Sequence, residues 1–367
     1  MSNKIAVIGA GKTGRGFIGR LLIEDNKKIV FIDKNEELVK ALNEKGKFKV
    51  SFFGNSREAV EVNGYTASSW DGADLSDVTV IFVSVGGMNL KDVGKELKNL
   101  INDGKMRHII VCENASHPAK TLSEAIGLDN ITVSESTVFC TTIENGGIDI
   151  ASENYPYLQC DAAPLGNFDP SIKGVKPING FENFLTRKLY TYNAASCVIA
   201  YLGYAKGYTD YGEAANDPEI LALLDRNYEA TNRVLCKIYG YDEDDQREFA
   251  ALSKQKFCDR TITDTVSRNA REPQRKLAFG ERIIGPLCLI DEQSDDTSVL
   301  ILTAAAALLY SHESDAAWEQ LRRSNTTEAL LESICGIKAD SKLGIAILLK
   351  CEFIKNYMKS EKKPPLA

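Results

Sequence analysis

"KIAVIGAGKTGRGFIGRLLIED", residues 4–25, decides the fold. Its first residues, Lys4 to Ile8, read as a short buried strand. Gly9, Gly11 and Gly14 then fall as GxGxxG, and the apolar residues beyond them recur at helical spacing. Strand, glycine turn and helix in that order read as a dinucleotide-binding loop, the alternative being a glycine turn of some other α/β fold with Asp33 merely capping the next helix. The first glycine permits the tight turn, the second lets a pyrophosphate approach the backbone, and the third lets helix and strand pack closely. The candidate cofactor residues are therefore Gly9, Ala10, Gly11, Lys12, Thr13 and Gly14, with the pyrophosphate on the free N–H groups of the helix start.

Outward from this loop the chain alternates. "KIVFID" is a second strand ending on Asp33, whose carboxylate accepts hydrogen bonds from a ribose and repels a 2′-phosphate, so NAD is expected over NADP. Lys34 beside it softens that discrimination. "VTVIFVSVG" and "HIIVCEN" are further strands, continuously apolar as in a parallel sheet covered on both faces. Their ends place Val85 and Gly86 on the nicotinamide side and Asn114 at the rim, although an asparagine there is also an ordinary turn residue. "FKVSFFG" and "EAVEVNGYTAS" alternate as an antiparallel insertion, and "IDIASENYPYLQCDAA" reads as more strand. Beyond Gly180 long helices take over, at 181–205, 217–239, 243–257, 297–312 and 342–359. The expected class is α/β: an N-terminal doubly wound Rossmann domain at 1–180 and a second, mostly α-helical substrate and catalytic domain at 181–367.

Composition narrows the function. The 44 Lys and Arg against 51 Asp and Glu leave a net charge of −7, which disfavours nucleic acid or an anionic membrane as partner. The nine cysteines show no CxxC pairing and the histidines number three, His108, His117 and His312, so no metal site is expected. Unpatterned thiols and a strand at the very N-terminus suggest a cytoplasmic enzyme. The longest apolar run, at 299–310, is too short to span a bilayer.

The stretch "RKLYTYNAASC", residues 187–197, carries Lys188, Asn193 and Ser196 on one broad helix face. A lysine in a low-dielectric cleft can take an alcohol proton, and an amide can hold the developing alkoxide. Taken alone, the same run also reads as a solvated lysine and an ill-placed helical asparagine. Residues 254–282 concentrate Lys254, Lys256, Arg260, Arg268, Arg271, Arg275, Lys276 and Arg282. Arg268, Arg271, Arg275 and Lys276, around "REPQRKL", are the candidate ligands for an anionic substrate group.

"GAGKTGRGFIGRLL", "VCEN", "RKLYTYNAASCVIAYLGYAKGY" and "REPQRKLAFGERIIGPL" together resemble the mannitol-1-phosphate 5-dehydrogenases, a branch of the polyol-specific long-chain dehydrogenases. The resemblance implies NAD-dependent, metal-independent interconversion of a polyol phosphate and a keto-sugar phosphate, of the mannitol 1-phosphate and fructose 6-phosphate type. It makes Lys188 the general base, with Asn193 and Asn114 at the reacting oxygen. The family signature is Lys, four residues, Asn, two residues, His; here Ser196 stands at the histidine position. Phe139 and Cys140 stand where an Asp-Arg pair is usual. These departures leave a hexuronate reductase of the same superfamily, or a catalytically degenerate NAD-binding protein, as alternatives.

Overall fold

The structure, a computed structural model, describes residues 4–115, 117–360 and 364–366. The chain divides into two compact units, Met1–Glu182 and Asn183–Ala367.

The first unit is built on an eight-stranded sheet and a four-stranded one. The strands are β1 (Lys4–Ile8), β2 (Lys28–Ile32), β3 (Lys47–Phe52), β4 (Val60–Asn63), β5 (Thr66–Ser68), β6 (Val80–Val83), β7 (Arg107–Val111), β8 (Ile131–Thr137), β9 (Thr142–Glu144), β10 (Ile150–Ser152), β11 (Leu158–Asp161) and β12 (Val175–Ile178). The large sheet runs β12-β11-β8-β7-β6-β1-β2-β5. Its strands from β5 to β8 are parallel, and β11 joins β8 antiparallel. Successive side chains of a strand alternate faces, so β1 sends Ile5 and Val7 into one apolar cluster and Ala6 and Ile8 into another. Phe17, Leu21 and Leu42, from the helical segments after β1 and β2, cover the first face. Leu90, Leu97, Leu122 and Ile126, from helices Leu90–Ile101 and Pro118–Ile126, cover the second. The sheet is thus doubly wound, with its switch point between β1 and β6.

Two details differ from the expectation. The insertion is a mixed sheet, β4-β3-β10-β9, because β10 pairs parallel to β3. The segment "TAS" leaves that insertion and extends the large sheet as β5, where Asn43 both donates to the Ala67 carbonyl and accepts from its N–H, closing the outer edge.

The second unit is helical. Ser298–Leu309 is buried from Val299 to Leu309 and packs against Ala194–Lys206 and Lys342–Lys359. The helices Pro218–Tyr239, Glu243–Cys258 and Lys342–Lys359 start on capping side chains of Asp217, Asp242 and Ser341. Shorter helices such as Tyr211–Ala215, Val266–Ala270 and Pro273–Lys276 are only four or five residues long, too few for a periodic signal. The run expected as a single helix from 181 is three segments: α-helix Phe181–Lys188, a π-helical turn Leu189–Asn193, and α-helix Ala194–Lys206. A second π-helical turn, Gly14–Gly19, opens the helix after β1.

Candidate functional site

In the first unit the glycine loop lies at the switch point. Gly9 has φ +93°, and a Cβ there would stand 2.0 Å from the Ser84 carbonyl oxygen; one on Gly14 would stand 1.9 Å from the Gly9 oxygen. Both glycines are required by the protein's own packing. A Cβ on Gly11 would meet nothing within 4 Å, so this position opens on space that a ligand can enter. A cavity of about 270 Å³ sits here, lined among others by Gly9, Gly11, Asp33, Lys34, Trp70 and Val85. Such a loop, cradle and helix start fit the pyrophosphate and ribose of a dinucleotide.

Asp33 also pins the loop. Its Oδ2 accepts the Ala10 N–H at 2.7 Å and its Oδ1 accepts the Asn35 N–H at 2.9 Å. Capping of the next helix falls to Asn35, which accepts from Leu38 N–H. Lys12 and Thr13 are the first helical residues, directly ahead of the π-helical turn, and Lys34 Nζ is 3.5 Å from Asn89 Oδ1. A residue that sequence reading passed over completes this rim. Glu113 Oε1 accepts both the Val85 and Gly86 N–H groups at 2.6 Å, while Asn89 donates to the Val85 carbonyl. Burial raises the Glu113 pKa and the two N–H groups oppose that rise. The neighbouring Asn114 is exposed, and its amide both donates to and accepts from the Val138 backbone. Phe139 is buried, stacked on Tyr155 at 5.3 Å, and the Cys140 thiol is 3.2 Å from Ser152 Oγ.

In the second unit the π-helical turn sets the geometry. On an α-helix of 3.6 residues per turn, Lys188 and Asn193 would point about 140° apart. The π-helical turn Leu189–Asn193 is wound wider than an α-helix, which narrows that angle. Asn193 and Ser196, three apart, are then neighbours at the start of the following α-helix. What the structure corrects is the continuity of the helix, which the irregular turn Leu189–Asn193 interrupts between Lys188 and Ser196.

Gln246, fully buried, fastens this turn. It accepts from Arg187 Nε at 2.6 Å and donates to Thr191 Oγ1 and Asn232 Oδ1. Arg187 lies over the rings of Tyr241 and Phe249 and pairs with Asp245 at 2.8 Å. Tyr190 donates to the Gly280 carbonyl, and Tyr192 packs edge-on to Phe249 and Phe257. Among the described residues the Asn193 amide has no side-chain hydrogen-bond partner, which leaves its donors for a ligand. Burial first, and then the charges of Lys256 and Arg282, push the Lys188 ammonium down to about 7. The lysine is thus poised to exchange a proton near neutrality.

The four cations chosen from the sequence are placed differently from one another. Arg268 pairs with Asp264 at 3.2 Å and Arg275 with Glu272 at 2.8 Å, each with a carboxylate three or four residues earlier in the chain. Arg271 is exposed. Lys276 is buried, donates to the Asn269 carbonyl and lies over the Tyr201 ring, and its pKa falls to about 8 through burial. Lys256 and Arg282, members of the same basic stretch that the sequence did not single out, are the cations acting on Lys188. A cavity of about 870 Å³ between Pro218–Tyr239 and Glu243–Cys258 is not lined by Lys188.

Residues 181–354 match the mannitol dehydrogenase C-terminal domain, and residues 5–160 match the ketopantoate reductase PanE/ApbA family. A mannitol-1-phosphate 5-dehydrogenase of Anoxybacillus flavithermus is 30% identical over 343 residues, 86% of this chain and 90% of its own. The chain belongs to the mannitol-1-phosphate 5-dehydrogenase family. Solved structures agree on the fold. A substrate-free D-sorbitol dehydrogenase superposes with TM-score 0.77 at 13% identity, covering 96% of this chain and 93% of that one. A Pseudomonas fluorescens mannitol 2-dehydrogenase in a ternary complex with NAD and D-mannitol gives 0.65 at 13% identity, covering 98% and 92%. Membership of the mannitol-1-phosphate 5-dehydrogenase family makes the chain an oxidoreductase acting on CH–OH groups. Among the described residues no helix is long and apolar enough to cross a membrane.

Proposed function

We propose that this chain is an NAD-dependent dehydrogenase interconverting mannitol 1-phosphate and fructose 6-phosphate, with Lys188 as general base. The observation that carries this reading is the Lys188 ammonium brought down to about 7 by burial and by the charges of Lys256 and Arg282, at the start of the π-helical turn that ends on Asn193. In the oxidation direction, neutral Lys188 Nζ takes the proton of the hydroxyl on the reacting carbon. The Asn193 amide donates to that oxygen as negative charge gathers on it. In reduction the charged lysine returns the proton. Bound NAD supplies the hydride acceptor. Lys256 and Arg282 supply the positive charge that a substrate phosphate needs. A phosphate among these cations relieves their repulsion of Lys188 and raises its affinity for the proton.

NAD is the expected cofactor because the Asp33 carboxylate lines the cavity beside Gly9 and Gly11, where a 2′-phosphate would be repelled. The relative solved with NAD and D-mannitol supports the same assignment. Asn114, just beyond the end of β7, is proposed to serve the cofactor and the reacting oxygen. All nine cysteines are free thiols, which suits a cytoplasmic enzyme.

The test follows NADH and NADPH oxidation with fructose 6-phosphate, fructose, fructuronate and tagaturonate, and NAD reduction with mannitol 1-phosphate. Turnover is expected to be fastest with fructose 6-phosphate and NADH. A preference for a hexuronate would move the assignment to the reductase branch. NADH binding without any turnover would make the chain a degenerate member.

A further inference from the structure

Ser196 follows Asn193 by three residues and is half-buried in the first turn of Ala194–Lys206. Its Oγ accepts a hydrogen bond at 3.2 Å from the hydroxyl of Tyr211. Tyr211 is only 5% exposed and is held from three sides. Its N–H donates to the Asp264 carbonyl, its ring packs edge-on to Phe257, and the helix it begins is capped by Asp210. A serine hydroxyl has one proton and two acceptor lone pairs. With the phenol seated on a lone pair, the serine's own proton is left to donate elsewhere. Among the described residues no acceptor takes it.

We infer that Tyr211 is a specificity-determining positioning residue: its hydroxyl orients Ser196 so that the serine donates to one further hydroxyl oxygen of a linear polyol, beside the carbon that Lys188 serves. This rests on the reading of Lys188 and Asn193 given above and extends it to the substrate's other hydroxyls. The pair is a neutral relay. Burial holds the Tyr211 phenol well above the ordinary tyrosine range, so the relay keeps its protons through the pH range in which Lys188 titrates. A hydrogen bond between two neutral groups discriminates by the presence and position of a hydroxyl, not by charge.

The experiment is a double-mutant cycle on kcat/KM. Ser196→Ala, Tyr211→Phe and the double variant are compared with wild type on mannitol 1-phosphate and on analogues singly deoxygenated at each carbon flanking the reacting one. Tyr211→Phe keeps the ring and removes only the hydroxyl. Each single variant is expected to lose about tenfold, the worth of one neutral hydrogen bond, mainly through KM. The double variant should be no worse than Ser196→Ala. For one deoxy analogue both losses should disappear. Ser196→Thr, which keeps the hydroxyl, should retain most activity. The pH limb set by Lys188 should stay where it is in Tyr211→Phe. Additive losses, equal losses on every analogue, no loss at all, or a displaced limb would each overturn the inference. Should Tyr211→Phe fail to fold, Ser196→Ala against the deoxy series decides alone. If wild type ignores mannitol 1-phosphate but oxidises another polyol, the substrate assignment falls and the cycle is run on that polyol. A chain that oxidises none overturns both.

Discussion

The two π-helical turns, Gly14–Gly19 and Leu189–Asn193, share a backbone irregularity and hold it by opposite means. In the first, the residues are held close by missing side chains. A Cβ on Gly16 would come within 2.3 Å of Ile150 Cγ2, and one on Gly19 within 3.0 Å of the Phe31 ring. All six residues of that turn are buried. In the second, the turn is tied by side chains that are present: Thr191 and Arg187 to Gln246, Tyr190 to Gly280, Tyr192 against two phenylalanines. The dinucleotide loop is accordingly a site made of backbone, intolerant of added atoms. The lysine turn is a site made of side chains, intolerant of lost ones.

The strongest way to break the second turn is to remove what it presents. Lys188→Ala should lower kcat on the order of 10²–10⁴-fold, the usual worth of a general base, and abolish the pH limb near 7. Wild-type polyol oxidation should rise through that limb as the lysine loses its proton, and ketose reduction should fall through it. The stability effect runs the other way. Between a native pKa of about 7 and an unfolded value of roughly 10.4, the unfolded chain binds the extra proton, so the lysine destabilises the native state increasingly as pH falls toward 7. Lys188→Met should therefore raise Tm more at pH 7 than at pH 10, as read by thermal melts. An unchanged kcat, or a lower Tm at pH 7, would remove the lysine from its role.

The first turn is sharpened by adding single methyl groups to its loop. Gly14→Ala places a Cβ against the Gly9 carbonyl and should abolish soluble folding or drop Tm steeply. Gly11→Ala meets no atom of the protein, so its stability should stay within about 0.5 kcal/mol of wild type. Its NADH affinity, by fluorescence titration, should nonetheless weaken tenfold or more, because the pyrophosphate needs that approach. Equal NADH binding in Gly11→Ala and wild type would place the dinucleotide elsewhere.

The smallest effect belongs to the tie beneath the lysine. Gln246→Ala leaves Arg187 Nε and the Thr191 hydroxyl without their partner, at a cost of about 1–3 kcal/mol in stability. If Gln246 maintains the π-helical register, kcat should fall with KM little changed, and the Lys188 limb should move up toward an ordinary lysine as water enters. A stability loss with kinetics and limb intact would reduce Gln246 to a packing role.

What was legible in the sequence was local. A glycine at positive φ, a capping asparagine, strands of continuous apolar residues and the long amphipathic helices all follow from neighbours a few residues away. That is why the GxGxxG loop, Asp33 and the helical second half could be read directly. The run 187–197 marked the lysine by composition but not its geometry, because a π-helical turn has no periodicity of its own to announce it. The contacts that shape the site span long separations. Glu113 closes the Val85–Gly86 turn from 28 residues away, Gln246 reaches Arg187 across 59, and Tyr211 reaches Ser196 across 15. Likewise, nothing in the order of charges at 254–282 marks Lys256 and Arg282 as the two whose charges act on Lys188. The sequence alone determined the doubly wound fold and the glycine loop at its switch point, because backbone conformation and apolar periodicity are near-neighbour properties. Only the tertiary structure decided the lowered pKa of Lys188, the cations acting on it and the phenolic partner of Ser196, because burial and through-space charge depend on which distant segments the packed core brings together.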